Sequence, residues 1–137
     1  MESMPRTFRL YQELENSVHG KLSDHTVSYG LTNGDDQTFT NWNGTIFGPA
    51  NTAYDNRIYS LTIVTDEDYP AKAPKVRFET KINLPFVNQT NGIVEPSKFS
   101  LFRNWTPSTT LEGILVGIKK EMQMNAKLPQ PAEGATF

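Results

Sequence analysis

The chain has 137 residues and no cysteine. It therefore has no disulfide, no thiolate nucleophile and no cysteine-ligated zinc site. Two histidines, His19 and His25, leave little material for a histidine triad or metal centre, and we predict neither a metal nor a cofactor. No apolar run approaches the roughly 18 residues of a membrane span. The net charge of −2, with no long run of one sign, predicts no nucleic-acid or membrane partner.

The length predicts one domain over residues 1–137, because two halves would each have too small a core. Its first element is a helix. Pro5 suits a helix start, and Gly20 suits its end. Apolar side chains recur at spacings of three and four and predict a buried stripe of Phe8, Tyr11, Leu14 and Val18, with Leu10 beside them.

Segments of alternating apolar and polar residues follow, and they predict four antiparallel strands joined as a meander with one covered face. The Asn33-Gly34-Asp35-Asp36 run is a turn signal between the first two. The alternation predicts the following inward-facing residues: Val27, Tyr29, Leu31, Trp42, Ile46, Tyr59, Leu61, Ile63, Val76 and Phe78. The fold class is therefore α+β.

The regular pattern stops over residues 80–108, which we predict to be a long irregular loop, and such loops are often functional. Thr109-Thr110-Leu111-Glu112 then predicts a capping box that opens a C-terminal helix. The buried stripe of this helix is predicted to be Leu111, Ile114, Leu115, Ile118 and Met122. The prolines of residues 128–134 predict an extended tail.

The acidic run Asp66-Glu67-Asp68 is a candidate catalytic pair, since paired carboxylates perform acid–base hydrolysis. A hydrolase built on Asp66 and Glu67 has composition alone in its favour. The run directly precedes Tyr69-Pro70, and a solvated turn explains it better.

Several segments, in order, resemble one protein family. The segments are residues 5–15, 42–49 (WNGTIFGP), 56–61 (NRIYSL), 81–85 and 127–131. They resemble the ubiquitin-conjugating enzymes, and within them the catalytically inactive variants of the small type that pairs with an active conjugating enzyme. This resemblance covers nearly the whole chain and implies the ubiquitin-conjugating-enzyme fold.

Active members of that family carry a His-Pro-Asn motif shortly before a nucleophilic cysteine. The corresponding stretch here is Leu84-Pro85-Phe86, and the cysteine position falls near Val94 or Glu95. Nucleophile and oxyanion donor are both missing, and thioester transfer requires a thiolate. The resemblance therefore implies an accessory protein rather than an enzyme.

The resemblance also implies partners. These are an active ubiquitin-conjugating enzyme in a heterodimer, an acceptor ubiquitin, and ubiquitin ligases reached through the active enzyme. The product would be lysine-63-linked chains, in cytoplasm and nucleus, with a role in DNA-damage tolerance. The implied partner contacts are Phe8, as the anchor, and Arg6, Arg9, Leu10 and Gln12. Periodicity alone favours the other reading, in which Phe8 packs on its own sheet.

The acceptor-ubiquitin contacts implied by the resemblance are Ser28, Thr45 and Ile58. Strand parity puts all three opposite the more apolar face, although single exposed aliphatic residues usually have no function. A second function stays open. Some related variant domains bind ubiquitin and proline-rich peptides in sorting machinery without an enzyme partner, and a stand-alone binding module is the alternative.

Overall fold

The computed structural model describes residues 6–20 and 24–137. The elements are helix α1 (Arg6–Val18), strands β1 (Val27–Leu31), β2 (Asn41–Phe47), β3 (Ile58–Val64) and β4 (Lys75–Phe78), and helices α2 (Ser100–Arg103) and α3 (Leu111–Met124). The predicted α+β order of helix, four strands, loop and helix is confirmed. The short α2 inside the loop was not predicted, and Pro5 lies outside the described residues. No helix in the described ranges is long and apolar enough to cross a membrane.

The strands form one antiparallel sheet in the order β1-β2-β3-β4. The predicted inward residues are buried, except that Leu31 at the end of β1 is half-buried. Both long helices lie on this inner face. The Cβ that Gly44 lacks would lie 3.2 Å from Leu115 Cδ2, so the glycine lets α3 approach β2 closely. The outer face of the sheet carries no helix among the described residues.

Helix α3 begins one residue later than the capping-box prediction requires. Thr110 is the N-cap, and its hydroxyl accepts a hydrogen bond from Gly113 N at 2.9 Å. Glu112 is therefore at position N2 of the helix and not at the N3 position that the capping box requires. Its carboxylate accepts a hydrogen bond from Asp24 N at 3.1 Å. The predicted stripe from Leu111 to Met122 is fully buried, as expected.

Helix α1 is rotated away from the orientation that its periodicity predicts. Phe8, Tyr11 and Val18 are 57%, 51% and 69% exposed, whereas Leu10 and Glu13 are buried. The prediction of a buried stripe is therefore wrong for Phe8, Tyr11 and Val18, whereas Leu14 is partly buried against the core. Polar side chains of the helix, those of Arg6, Arg9 and Glu13, form hydrogen bonds to the rest of the domain, and hydrophobic periodicity does not register such contacts.

The long loop and the tail pack on each other and on the core. Phe86 stacks on Phe99 with ring centroids 4.6 Å apart, and both are buried. The tail runs extended beside residues 79–83, where Lys81 N donates to Ala135 O at 2.8 Å and Phe137 N donates to Glu79 O at 3.1 Å. This pairing brings the tail next to the start of β3.

Candidate functional site

The outer face of the sheet brings the predicted acceptor residues together. Ser28 pairs with Thr45 across β1 and β2, and Phe47 pairs with Ile58 across β2 and β3. Ile58 is 59% exposed, Ser28 is exposed and Thr45 is half-buried. The parity prediction that these three side chains share the face away from the core agrees with the structure. Their binding role stays a prediction.

Two further residues, neither of them predicted as an acceptor contact, lie on this face. Phe47 is 45% exposed directly opposite Ile58, and exposed Ser60 pairs with Thr45 from the β3 side. The five residues Ser28, Thr45, Phe47, Ile58 and Ser60 form one surface, which we call the outer patch. Its apolar end, Phe47 and Ile58, adjoins hydroxyl groups that can donate and accept hydrogen bonds. Strand parity alone could have found Phe47, since it shares its face with Thr45.

A second surface lies on α1. Phe8 and Tyr11 project outward, and beside Tyr11 runs a shallow groove of about 490 Å³ lined by Leu14, Leu31, Phe39 and the turn at residues 34–37. We call Phe8, Tyr11 and this groove the α1 surface. An aromatic side chain exposed beside an apolar groove is typical of a protein-binding anchor.

Acidic groups border the groove. The Asp36 carboxylate accepts hydrogen bonds from the Thr38 hydroxyl at 2.6 Å and from Thr40 N at 3.0 Å. These bonds hold the pKa of Asp36 at about 2, led by the Thr38 hydroxyl, so the carboxylate is ionised at neutral pH. The rim of the groove therefore carries negative charge.

The other predicted partner contacts differ in their exposure and in their bonds to this domain. Leu10 is fully buried, so the prediction that it contacts a partner is wrong: its side chain lies on the inner face of α1. Gln12 is exposed. Arg6 donates to Asp66 O and Thr65 O, both at 2.7 Å, and Arg9 donates to the carbonyls of residues 107 and 109 at 2.6 Å. Both guanidinium groups thus tie α1 to its own domain, and their partner role stays a prediction.

The loop before β2 supports the α1 surface. Phe39 has a left-handed backbone, with φ of 52°, which is uncommon for a residue with a side chain. Its carbonyl accepts from the Thr65 hydroxyl at 2.6 Å, from Trp42 Nε1 at 2.9 Å and from Arg6 Nη2 at 3.4 Å. These bonds fix the strained turn and hold the Phe39 ring at the edge of the groove.

The region that corresponds to an active site is filled with core side chains. Leu84, Phe86 and Val94 are buried, Pro85 is exposed and Glu95 is half-buried. The backbone N–H of Val94 donates to Val76 O at 2.9 Å, and the Glu95 carboxylate pairs with the Lys98 ammonium at 3.7 Å. The described residues here offer neither a nucleophile nor an acid–base pair with an open cleft.

The acidic run after β3 is a turn. Asp66 Oδ1 accepts from Asp68 N at 2.9 Å, and Glu67 is exposed. This geometry supports the solvated-turn interpretation over a hydrolytic pair. Across the described ranges no cluster of three or more His, Asp or Glu side chains could hold a metal ion.

Taken together, the geometry defines an α+β scaffold with two exposed surfaces, the outer patch and the α1 surface, and a region around residues 84–95 that is filled by core side chains. A family profile described as "Ubiquitin-conjugating enzyme" matches residues 9–136. The chain belongs to the ubiquitin-conjugating enzyme family, and the predicted resemblance is confirmed.

Relatives of matching length carry variant names. "Ubiquitin-conjugating enzyme E2 variant 1D" of Arabidopsis thaliana is 49% identical over 98% of this chain and 92% of its own length. "Ubiquitin-conjugating enzyme variant MMS2" of Saccharomyces cerevisiae is 48% identical over the whole of both chains. Among solved structures, human ubiquitin-conjugating enzyme E2 G1 superimposes with a TM-score of 0.73 at 26% identity, covering 89% of this chain and 98% of its own.

Proposed function

We propose that this protein is a non-catalytic subunit of a complex with an active ubiquitin-conjugating enzyme. In this complex it binds an acceptor ubiquitin and directs the synthesis of lysine-63-linked chains. The observation that carries the proposal is the pair of separate surfaces, the α1 surface and the outer patch, on a family member with no cysteine. Thioester transfer requires a thiolate. The partner therefore performs the thioester chemistry, and this chain orients the acceptor ubiquitin.

The physical contribution is proximity. A scaffold that holds an acceptor lysine beside a thioester turns a bimolecular encounter into an intramolecular one, which lowers the barrier by several kcal/mol when the geometry is well set. Linkage specificity arises because one bound pose admits one lysine. The apolar end of the outer patch, Phe47 and Ile58, supplies the acceptor contact, and the hydroxyls of Ser28, Thr45 and Ser60 fix its orientation.

The α1 surface binds the active enzyme, with Phe8 as the anchor and the groove beside Tyr11 as a second contact. A solvent-exposed aromatic at the centre of a small interface contributes a large share of the binding free energy. The acidic rim at Asp36 favours a cationic neighbour on the partner. Ligases reach the complex through the active enzyme, and cytoplasm and nucleus are the proposed compartments.

A reconstituted assay tests the proposal. It contains this protein, an active conjugating enzyme, activating enzyme, ATP and ubiquitin, and each component is omitted in turn. We expect lysine-63-linked chains in the complete mixture alone. Phe8→Ala should weaken pairing, measured by titration calorimetry, at least about a hundredfold, as for a dominant interface aromatic. Val18→Ala truncates another exposed apolar side chain on the same helix, about 15 Å away at 1.5 Å per residue, and should pair normally.

Two outcomes would count against the proposal. If Phe8→Ala pairs like the unmodified protein, the α1 surface is not the contact. If the protein binds ubiquitin but no active conjugating enzyme, the stand-alone binding module takes its place.

A further inference from the structure

Helix α1 buries an acid and exposes its apolar stripe, an arrangement that the hydrophobic effect alone does not favour. At 3.6 residues per turn, the stripe of Phe8, Tyr11 and Val18 lies roughly 140° around the helix from the buried Leu10 and Glu13. A rotation of that size would cover the stripe and release the carboxylate to water. Some specific interaction must therefore hold the helix in the observed rotation.

The buried Glu13 has hydrogen-bond partners on three other parts of the chain, two of them bonded to its carboxylate and one to its main-chain carbonyl. Its Oε2 accepts from the Tyr69 hydroxyl at 2.6 Å, and its Oε1 accepts from the backbone N–H of Leu111 at 2.5 Å. The Tyr29 hydroxyl on β1 donates to the main-chain carbonyl of Glu13 at 2.6 Å. One residue of α1 thus contacts the turn after β3, the first residue of α3 and the inner face of β1.

Charged neighbours complete the network. Arg9 Nε lies 3.4 Å from Glu13 Oε2, and the Arg9 guanidinium sits 5.8 Å from the centre of the Tyr69 ring. Burial raises the pKa of the Glu13 carboxyl, while the bonds from Tyr69 and Leu111 and the charge of Arg9 oppose the rise. A carboxylate kept in this environment is costly unless every partner is aligned, which makes the network sensitive to rotation.

We propose that Glu13 is a positioning residue that sets the rotation of α1 and thereby keeps Phe8 and Tyr11 facing outward. Apolar contacts, such as those of Leu10 and the partly buried Leu14 with the core, are non-directional. Hydrogen bonds to three separate elements are directional and admit one rotation. The inference rests on the proposed function for the identity of the partner, but the rotation itself is a property of the isolated protein.

Two variants with matched controls test the inference. Glu13→Leu removes the carboxylate, whereas Glu13→Gln keeps an acceptor for Leu111 N–H and a polar group for Tyr69. Tyr69→Phe removes one hydroxyl and keeps the ring, so it carries the test if Glu13→Leu fails to fold. Tyr54→Phe is its control, because this buried hydroxyl donates to Asn83 O, at a distance of 3.0 Å, rather than to Glu13.

The first readout is nuclear Overhauser contacts of the Phe8 and Tyr11 rings in the isolated protein. We expect the rings of Glu13→Leu to gain contacts to core methyl groups, and those of Glu13→Gln and Tyr54→Phe to gain none. The second readout is the affinity for the active enzyme. We expect it to be about tenfold weaker for Glu13→Leu, about threefold weaker for Tyr69→Phe, and equal to that of the unmodified protein for Glu13→Gln.

The readouts separate two failures. If the unmodified protein pairs with no conjugating enzyme, the proposed function fails, and the ring contacts still decide the role of Glu13. If Phe8 and Tyr11 stay solvent-facing in both Glu13→Leu and Tyr69→Phe, and pairing is unchanged, the positioning role is overturned.

Discussion

The family resemblance places the lost nucleophile near Val94 or Glu95, and the surroundings of Val94 are those of a core residue. Val94 is 2% exposed, and its N–H is bonded to Val76 O. The nearby Phe86 ring is stacked on Phe99. The region therefore differs from an active site in its packing as well as in the absence of a thiol, because core side chains fill the space around Val94.

Restoring a thiol should not restore thioester formation. In Val94→Cys the sulfur would be buried in apolar surroundings, where a thiol keeps a raised pKa and stays unreactive. We expect no ubiquitin thioester after incubation with activating enzyme, ATP and ubiquitin, read on a non-reducing gel. Ser60→Cys is the control for access, since this exposed position should react rapidly with a thiol reagent while Val94→Cys does not. A reducible ubiquitin adduct on Val94→Cys would contradict the interpretation.

The buried carboxyl of Glu13 should leave a signature in the pH dependence of stability. The pKa of this carboxyl in the folded protein is raised above the ordinary value of 4.5. In the pH window between the ordinary pKa and the raised pKa, the folded protein therefore binds more protons than the unfolded chain. The contribution of Glu13 to the free energy of unfolding should therefore be greatest at acid pH and fall as the pH rises through the window.

Denaturant unfolding of the unmodified protein and Glu13→Gln over a pH series measures this contribution as a difference. Glu121→Gln, on α3, shows what the loss of one charge does by itself. If the free energy of unfolding of the unmodified protein rises with pH relative to that of Glu13→Gln, the pKa of Glu13 in the folded protein is lowered instead.

At the scale of elements, the sequence predicted strands better than helix orientation. The period of two fixes which strand residues share a face, so Ser28, Thr45 and Ile58 were assigned correctly to the outer side. The orientation of α1 was not predictable in this way. It depends on bonds from Glu13 to Tyr69 and Leu111, which are 56 and 98 positions away along the chain.

The junction after β2 makes a prediction about backbone packing. A Cβ at Gly48 would lie 1.7 Å from Tyr54 O, inside the loop that connects β2 to β3. Gly48→Ala must displace that loop and break the bond from Gly48 N to Arg57 O, and we expect a loss of about 3 kcal/mol or more in the free energy of unfolding. Gly34→Ala, at a turn with open space around it, should change stability by about 0.5 kcal/mol or less. Equal stability of the two variants in urea would contradict this packing.

At the scale of the whole molecule, the sheet separates the two surfaces. Helix α1 lies on the inner side, where Tyr29 reaches Glu13, and the outer patch lies on the opposite side. Strand parity could assign residues to the outer face, but the sequence indicated a ligand for either surface only through the family resemblance, because neither surface has a motif whose chemistry identifies its ligand. The strand register then placed Phe47 beside Ile58 and Ser60 beside Thr45.

This separation predicts that the two activities can be lost independently. Changing Ser28, Thr45 and Ile58 together to arginine should abolish chain synthesis by the reconstituted pair and leave pairing with the active enzyme within about twofold, since distant sites are additive. Gln123→Arg, on the exposed side of α3, is the control for added charge and should preserve both. Chain synthesis that survives the triple change would remove the acceptor role from the outer patch.

A scaffold protein that binds two ligands at separate sites has an optimal concentration for bringing them together. In the proposed function the two ligands bind on opposite faces of the sheet, and two independent sites each fill by mass action. When the bridging protein is in large excess over both ligands, the enzyme and the acceptor occupy different copies of it, and fewer copies hold both at once. If the proposed function holds, a large excess of this protein should therefore lower the yield of lysine-63-linked chains below the yield at moderate concentration.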